Sequence, residues 1–258
     1  LVIVAILYLP TAYFGSVIAI VLLSGLYEWA TLAHVKSTPT KLMYLLFNAI
    51  LLCLIAYFDD LQHSSLIITT FCGGFFWLLS LFWLWKYNFA RTSNTFNNNL
   101  KLIAGSLACI PLWSALIWLH SSEQGPIWTL IAIGLIVAAD SGAYLFGVNF
   151  GTHKLAPNIS PGKSWEGFWG GLFCAILLSL ICMLLLDSSV AYWKFMVLGL
   201  LTALFSVVGD LFESLLKRHA AIKDSSSLIP GHGGLLDRLD SIFSGLVIFT
   251  LVKFWFGV

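Results

Sequence analysis

The chain has 258 residues, of which 59% are hydrophobic and only 10% charged, and that balance leaves too little polar surface to cover a water-soluble globule. A soluble fold is thereby excluded and a bilayer protein predicted. The formal charge of +1 supplies no global attraction for nucleic acid, so no such partner is expected and any polyanionic ligand must be held by a local group of bases.

Crossing the hydrocarbon core takes about 20 apolar residues as helix. By that measure the chain reads as an incomplete segment over 1–9 followed by eight fuller ones, near 11–34, 42–58, 64–85, 101–120, 127–149, 166–186, 192–213 and 242–257. The predicted fold class is an all-α polytopic membrane helical bundle of about nine transmembrane segments, the first incomplete. Pro10 divides the first two segments, and polar runs at 91–99 and 121–125 divide later ones. The sequence opens at Leu1 inside an apolar run, so it is expected to continue upstream, and no signal peptide is assigned. Cys53, Cys72, Cys109, Cys174 and Cys182 all lie in apolar runs without a CxxC pair, which predicts packing roles rather than zinc or disulfide chemistry. No internal repeat or extramembrane domain is evident.

Lys and Arg are retained preferentially in short cytoplasmic loops. Lys36, Lys41, Lys86, Arg91, Lys101, Lys154, Lys163, Lys217, Arg218, Lys223 and Arg238 fall on one side of this layout, whereas only Lys194 and Lys253 fall on the other. The stretches 150–165 and 214–241 are therefore both expected at the cytoplasmic face. Of the isolated polar residues, Glu28 reads as a buried polar contact rather than part of a site, and the histidines at segment ends, including His34, His120 and His219, read as interfacial. Gly73-Gly74 and Gly170-Gly171 are expected to permit close helix contacts.

Two stretches concentrate chemistry. In the first, Asp140 lies deep in an apolar segment, where an ionisable group is costly enough to be a functional-site hypothesis by default. It is followed by Lys154 and by Ser160-Pro-Gly-Lys-Ser-Trp-Glu-Gly167. Gly162, Lys163 and Ser164 imitate the end of a P-loop, but Pro157 stands where its first glycine belongs and a membrane segment precedes it, so that motif is rejected. In the second, Asp210, Ser214 and Lys217 would share one face if the helix continues through 205–218. Asp237 and Asp240, three apart at the start of the last helix, could project together as hard oxygen ligands for Mg²⁺. Gly231, Gly233 and Gly234 would let backbone N–H groups approach phosphate closely.

The second stretch resembles the signature of the phosphatidate cytidylyltransferase family. That signature runs Ser, two residues, Lys-Arg, four residues, Lys-Asp, then Pro-Gly-His-Gly-Gly, two residues, Asp-Arg, one residue, Asp. Ser214, Lys217, Arg218, Lys223, Asp224, Pro230, Gly231, His232, Gly233, Gly234, Asp237, Arg238 and Asp240 match it in order and spacing. The first stretch is similar to the same family's Ser-Pro-Lys-Lys-Thr-Trp-Glu-Gly. Gly162 and Ser164 depart from that form, so no phosphate role is carried onto position 162.

The resemblance implies transfer of CMP from CTP to phosphatidate, giving CDP-diacylglycerol and pyrophosphate, with Mg²⁺ and room for a second cation. It divides the chain into a lipid-facing scaffold over 1–130 and a catalytic region over 131–258. The expected catalytic residues are Asp210, Lys217, Arg218 and Asp237; the expected metal ligands are Asp210, Asp237 and Asp240, with Asp140 assisting. Lys217, Arg218, Lys223 and Arg238 are expected on phosphates, and Ser160, Lys163 and Glu166 in the nucleotide pocket. Ser214, Asp224, His232, Gly233 and Gly234 complete the expected substrate contacts. The partners would be CTP, phosphatidate and membrane lipids, in a bacterial inner membrane, and a homodimer is compatible with the sequence. The competing readings are a CTP-dependent enzyme for another lipid, and a transporter in which Asp140, Asp210 and Glu28 form a charge pathway.

Overall fold

A computed structural model describes residues 2–59, 63–186, 190–226 and 233–257. The helices are α1 (Val2–Tyr8), α2 (Thr11–Leu32), α3 (Thr38–Tyr57), α4 (Ser64–Trp85), α5 (Thr95–Ser121), α6 (Gly125–Phe150), α7 (Trp165–Leu185), α8 (Tyr192–His219) and α9 (Leu236–Phe256). Eight of them, α2 to α9, are long and apolar enough to cross a membrane, and α1 is the expected partial segment. The chain is an integral membrane protein of all-α architecture. Large apolar side chains such as Phe47, Leu79, Tyr144, Phe173 and Trp255 remain exposed on its outside, a surface that hydrocarbon rather than water would cover.

Three departures from the predicted elements shape the site. First, α5 begins six residues early, at Thr95, because Asn94 accepts a hydrogen bond from Asn97 N at 2.8 Å and caps it. Second, α8 runs on to His219 and α9 starts already at Leu236, beyond the apolar spans but in keeping with the shared face of Asp210, Ser214 and Lys217 and with Asp237 and Asp240 at the start of the last helix, so the charged motif is mounted on helix ends rather than on a long loop. Third, residues 154–164 form an antiparallel hairpin, β1 (Lys154–Ala156) and β2 (Ser160–Ser164), between α6 and α7.

Aromatic packing orients α8. Phe212 is fully buried and meets Trp29, Phe76, Trp77 and Trp83 with ring centroids 5.4–6.3 Å apart, mostly edge to face. With one face of α8 fixed against α2 and α4, Asp210, about 200° away around the helix, turns toward α6 and the hairpin. Small residues bring the helices carrying acids together. A side chain at Gly209 would collide with the Asp240 carbonyl and Ser244 Oγ of α9, and one at Gly171 with the Ala139 carbonyl of α6. Gly73 and Gly74 similarly admit Pro111 and Leu251.

Candidate active site

Three helices each bring one carboxylate to the Lys- and Arg-rich end of the bundle: Asp140 from α6, Asp210 from α8 and Asp240 from α9. Lys163, reaching in from β2, sets its ammonium 2.6 Å from Asp210 Oδ2 and within electrostatic reach of Asp140 and Asp240. Ser214 donates to Asp210 Oδ1 at 3.3 Å. Ser241 Oγ lies between the other two acids, 3.3 Å from Asp140 Oδ1 and 3.5 Å from Asp240 Oδ1, while its N–H donates to Asp240 at 2.7 Å. Three acids thus face one ammonium. Two of them, Asp140 and Asp210, border a cleft of about 460 Å³ that Tyr144, Lys163 and Phe168 also line, and Asp240 lies beside it.

The hairpin that carries Lys163 is tied down at both ends. At its base Glu166 accepts from Thr152 Oγ1 and His153 Nδ1, both at 2.7 Å, and from the Thr152 and His153 N–H groups. Ser164 caps α7 by accepting from Gly167 N at 3.2 Å. At the turn, Arg218 Nε donates to the Ile159 carbonyl at 3.1 Å, so Arg218 fastens the hairpin to the end of α8. Ser160 opens β2 opposite Ala156, and at Gly162 a Cβ would meet nothing.

A second charged cluster lies beside the first, where Lys217 bridges Glu213 Oε2 at 3.2 Å and Asp237 Oδ1 at 2.6 Å. Asp237 Oδ2 accepts from Ser225 N (2.9 Å), Ser225 Oγ (3.0 Å) and Gly234 N (2.8 Å). Glu28, 4% exposed, reaches across from α2. Its carboxylate accepts from Ser225 Oγ (2.8 Å), Ser226 Oγ (2.6 Å), Leu235 N (3.0 Å) and Leu236 N (2.9 Å). Glu28 and Asp237 therefore satisfy orphan N–H groups at the start of α9 and clip the α8–α9 connection onto α2. Gly233, at φ +82°, adopts the left-handed turn this clip requires.

The expected residues are thus sorted into two groups. Asp140, Lys163, Asp210, Ser214 and Asp240 gather at the cleft, whereas Lys217, Asp237 and Gly234 belong to the clip. Lys223 and Asp224 are exposed in the connection and Arg238 is exposed in the first turn of α9. His232, Pro230 and Gly231 lie outside the described residues. Glu28, read from the sequence as a buried contact, anchors the motif; its only sequence signal was a carboxylate in an apolar segment, because its partners are some 200 residues away.

Mg²⁺ demands oxygen ligands and usually keeps several waters, being held by one or two carboxylates together with substrate phosphates. No group of three or more His, Cys, Asp or Glu among the described residues is gathered closely enough to cage an ion. Asp210 and Asp240 suit the looser mode, since with Asp140 they meet around the ammonium of Lys163. Asp237 does not, because Lys217 and three further donors already occupy its oxygens.

The profile of a cytidylyltransferase family matches residues 1–256. A phosphatidate cytidylyltransferase of Haemophilus influenzae is 33% identical over 94% of this chain and 90% of its own length. That of Pseudomonas aeruginosa is 33% identical over 94% and 88%, and that of Staphylococcus saprophyticus 35% over 76% and 71%.

Proposed function

The chain belongs to the cytidylyltransferase family, and from that premise we propose that it transfers CMP from CTP to phosphatidate, releasing pyrophosphate and leaving CDP-diacylglycerol in the membrane. The observation that carries the reading is the acid cluster of three helices, Asp140, Asp210 and Asp240, facing Lys163 across an open cleft. A soluble polyphosphate and a lipid phosphate can meet there at the end of the bundle. The positive-inside bias supports a cytoplasmic position for this end, and the bacterial source of the relatives supports a bacterial inner membrane.

In this mechanism an oxygen of the phosphatidate phosphate attacks the α-phosphorus of CTP in line, the bond from that phosphorus to the bridging oxygen breaks, and pyrophosphate departs. No protein nucleophile is needed. Catalysis then rests on positioning and charge neutralisation. Lys163 exchanges Asp210 for a phosphate of CTP, and the hairpin fixed by Glu166, Ser164 and Arg218 keeps it aimed. Asp210 and Asp240, assisted by Asp140, would hold Mg²⁺, which when bound neutralises non-bridging and leaving oxygens. Asp237, Lys217 and Glu28 keep the α8–α9 connection, with Lys223, Asp224 and Gly233, in register beside the cleft. The helices before residue 131 serve as scaffold, with Glu28 their contribution to the motif.

Incubation of the purified chain with radiolabelled CTP, phosphatidate and Mg²⁺ tests the reading. Label should enter the lipid extract in step with pyrophosphate release and only when phosphatidate is supplied. Transfer of label to another lipid acceptor, but not to phosphatidate, would assign a different substrate.

A further inference from the structure

The cleft beside the acids is not sealed from the membrane. Its wall on α6 consists of Asp140, Ala143, Tyr144, Gly147 and Val148, which extend over about 12 Å of the helix. Tyr144 is nevertheless 70% exposed and Val148 67%, and residues at this spacing share one helix face with Asp140. The same side chains therefore line the cleft and form the outer surface of the bundle. Asp140 is itself exposed, about 15 Å along α6 from its end at Phe150. One turn further from the basic end, Val137 is exposed as well and continues this face into the apolar part of the helix. The cleft thus opens sideways on the flank of α6.

That opening meets a requirement of the transferase reading, on which this inference rests. One substrate arrives from water, whereas the other is held in the bilayer by its acyl chains. The hairpin, which follows the end of α6, lines the cleft through Leu155, Gly162 and Lys163, so the water-soluble substrate meets Lys163 there and the flank is left to the lipid. A carboxylate such as Asp140 is costly against bare hydrocarbon, and a polar lipid head covering the opening removes that cost. About 460 Å³ is the size of a small-molecule site, room for phosphate groups while the acyl chains stay outside along Val137 and Val148. Tyr144 suits the threshold, because its ring is apolar and its tip polar, the character of tyrosines at the membrane interface. Helical side chains lean toward the N-terminus, which directs the phenol to the turn bearing Asp140. Among the described residues no ring stacks on Tyr144 and no side chain bonds its hydroxyl.

We propose that Tyr144 receives the head of phosphatidate at this opening, donating its phenolic hydroxyl to an oxygen of the phosphomonoester while its ring packs against the glycerol backbone. The lipid phosphate is thereby held one helical turn from Asp140 and on the same cleft as Lys163 and Asp210. Tyr144 is a determinant of lipid binding and takes no part in holding CTP.

The test uses the whole purified chain with Tyr144→Phe, which removes only the hydroxyl, and Tyr144→Ala, which removes the ring as well. The side chain is exposed, so both variants should keep the wild-type unfolding temperature. In mixed micelles at saturating CTP, Tyr144→Phe should raise the apparent KM for phosphatidate about tenfold, the effect of one lost hydrogen bond to a charged group. Tyr144→Ala should raise it further, and the KM for CTP should stay unchanged in both. An unaltered KM for phosphatidate, or a rise in the KM for CTP instead, would overturn the assignment. A second measurement needs no turnover: phosphatidate with a photoreactive diazirine high on one acyl chain is irradiated with the protein in nanodiscs without CTP, and labelled residues are mapped by mass spectrometry. Support is label within 137–148 that Tyr144→Ala diminishes and that unlabelled phosphatidate, but not phosphatidylcholine, competes away. Label confined to other helices would overturn the site. A wild type that transfers nothing to phosphatidate would sink the transferase reading, whereas the labelling decides independently whether phosphatidate binds at Tyr144.

Discussion

Asp237 and Asp240 stand three residues apart on one helix, yet their surroundings differ in kind. Asp237 is saturated: a lysine holds one oxygen and two backbone N–H groups and a hydroxyl hold the other. Asp240 faces Asp140 and Asp210, and the charge of Lys163 acts on it only after theirs. A carboxylate whose lone pairs are filled by its own fold contributes stability. One held beside like charges with too few donors is poised to take a cation. On the proposed reading, saturation rather than burial or motif membership separates the acids that fasten this bundle from those that take part in chemistry.

The largest expected effect tests the cleft. Asp210→Asn and Asp240→Asn should lower turnover by orders of magnitude, because metal neutralisation contributes several kcal/mol and each ~1.4 kcal/mol is tenfold in rate. Asp240→Asn should unfold no earlier than the wild type, since it relieves repulsion between acids. In Asp210→Asn that relief is offset by the lost ion pair with partly exposed Lys163, worth about 0–1 kcal/mol, so its unfolding temperature should stay near the wild-type value. Turnover and thermal unfolding measured on the same preparation check this. Near-normal turnover in either folded variant would remove that residue from the metal site.

Glu28→Gln and Asp237→Asn should behave in the opposite way. Each leaves charged or backbone donors without a full acceptor, a loss of about 3–5 kcal/mol where a buried ion pair is broken and about 1.5–3 kcal/mol per hydrogen bond to a charged group. Unfolding temperature and activity should fall together, and a Mg²⁺ titration should restore neither. Activity lost without stability, and recovered at high Mg²⁺, would place Asp237 in the metal site after all and erase the contrast between the clusters.

An intermediate effect belongs to Lys163. If it binds CTP phosphates in the ground state, Lys163→Ala should raise KM for CTP about tenfold, the effect of losing ~1.4 kcal/mol of uniform binding. kcat should change far less. Steady-state kinetics over CTP concentration measure the split, and a fall confined to kcat would instead assign Lys163 to the transition state.

The bundle itself was legible because hydrocarbon thickness sets segment length, and the apolar runs announce themselves. The ends were not: Asn94 starts α5 through a side-chain cap, and α8 continues to His219 under polar residues that hydropathy reads as loop. The hairpin escaped for a related reason. Ser160-Pro-Gly-Lys-Ser164 has neither apolar alternation nor β-branched residues, and it holds its shape through Glu166, Ser164 and Arg218. The motif residues were readable as a group, but not their division into two clusters. A spacing of three says that two acids share a side of a helix, whereas the donors that saturate only Asp237 come from Ser225, Gly234 and Lys217.

The smallest effect concerns Ser241, whose side chain touches two of the acids. Ser241 Oγ lies 3.3 Å from Asp140 and 3.5 Å from Asp240, at or beyond the length of a good O–H···O bond, so its single proton serves neither acid strongly. Removing the hydroxyl should cost on the order of 0.5–1 kcal/mol, a few-fold in rate, while the Ser241 N–H goes on holding Asp240. Ser241→Ala should therefore keep the wild-type unfolding temperature and lose a few-fold in kcat, with a raised Mg²⁺ requirement if the hydroxyl keeps Asp140 and Asp240 oriented toward a common ion. The double variant with Asp140→Asn decides whether Ser241 acts through Asp140. If it does, the second substitution should add little to the first, whereas fully multiplicative losses would show that Ser241 and Asp140 contribute independently.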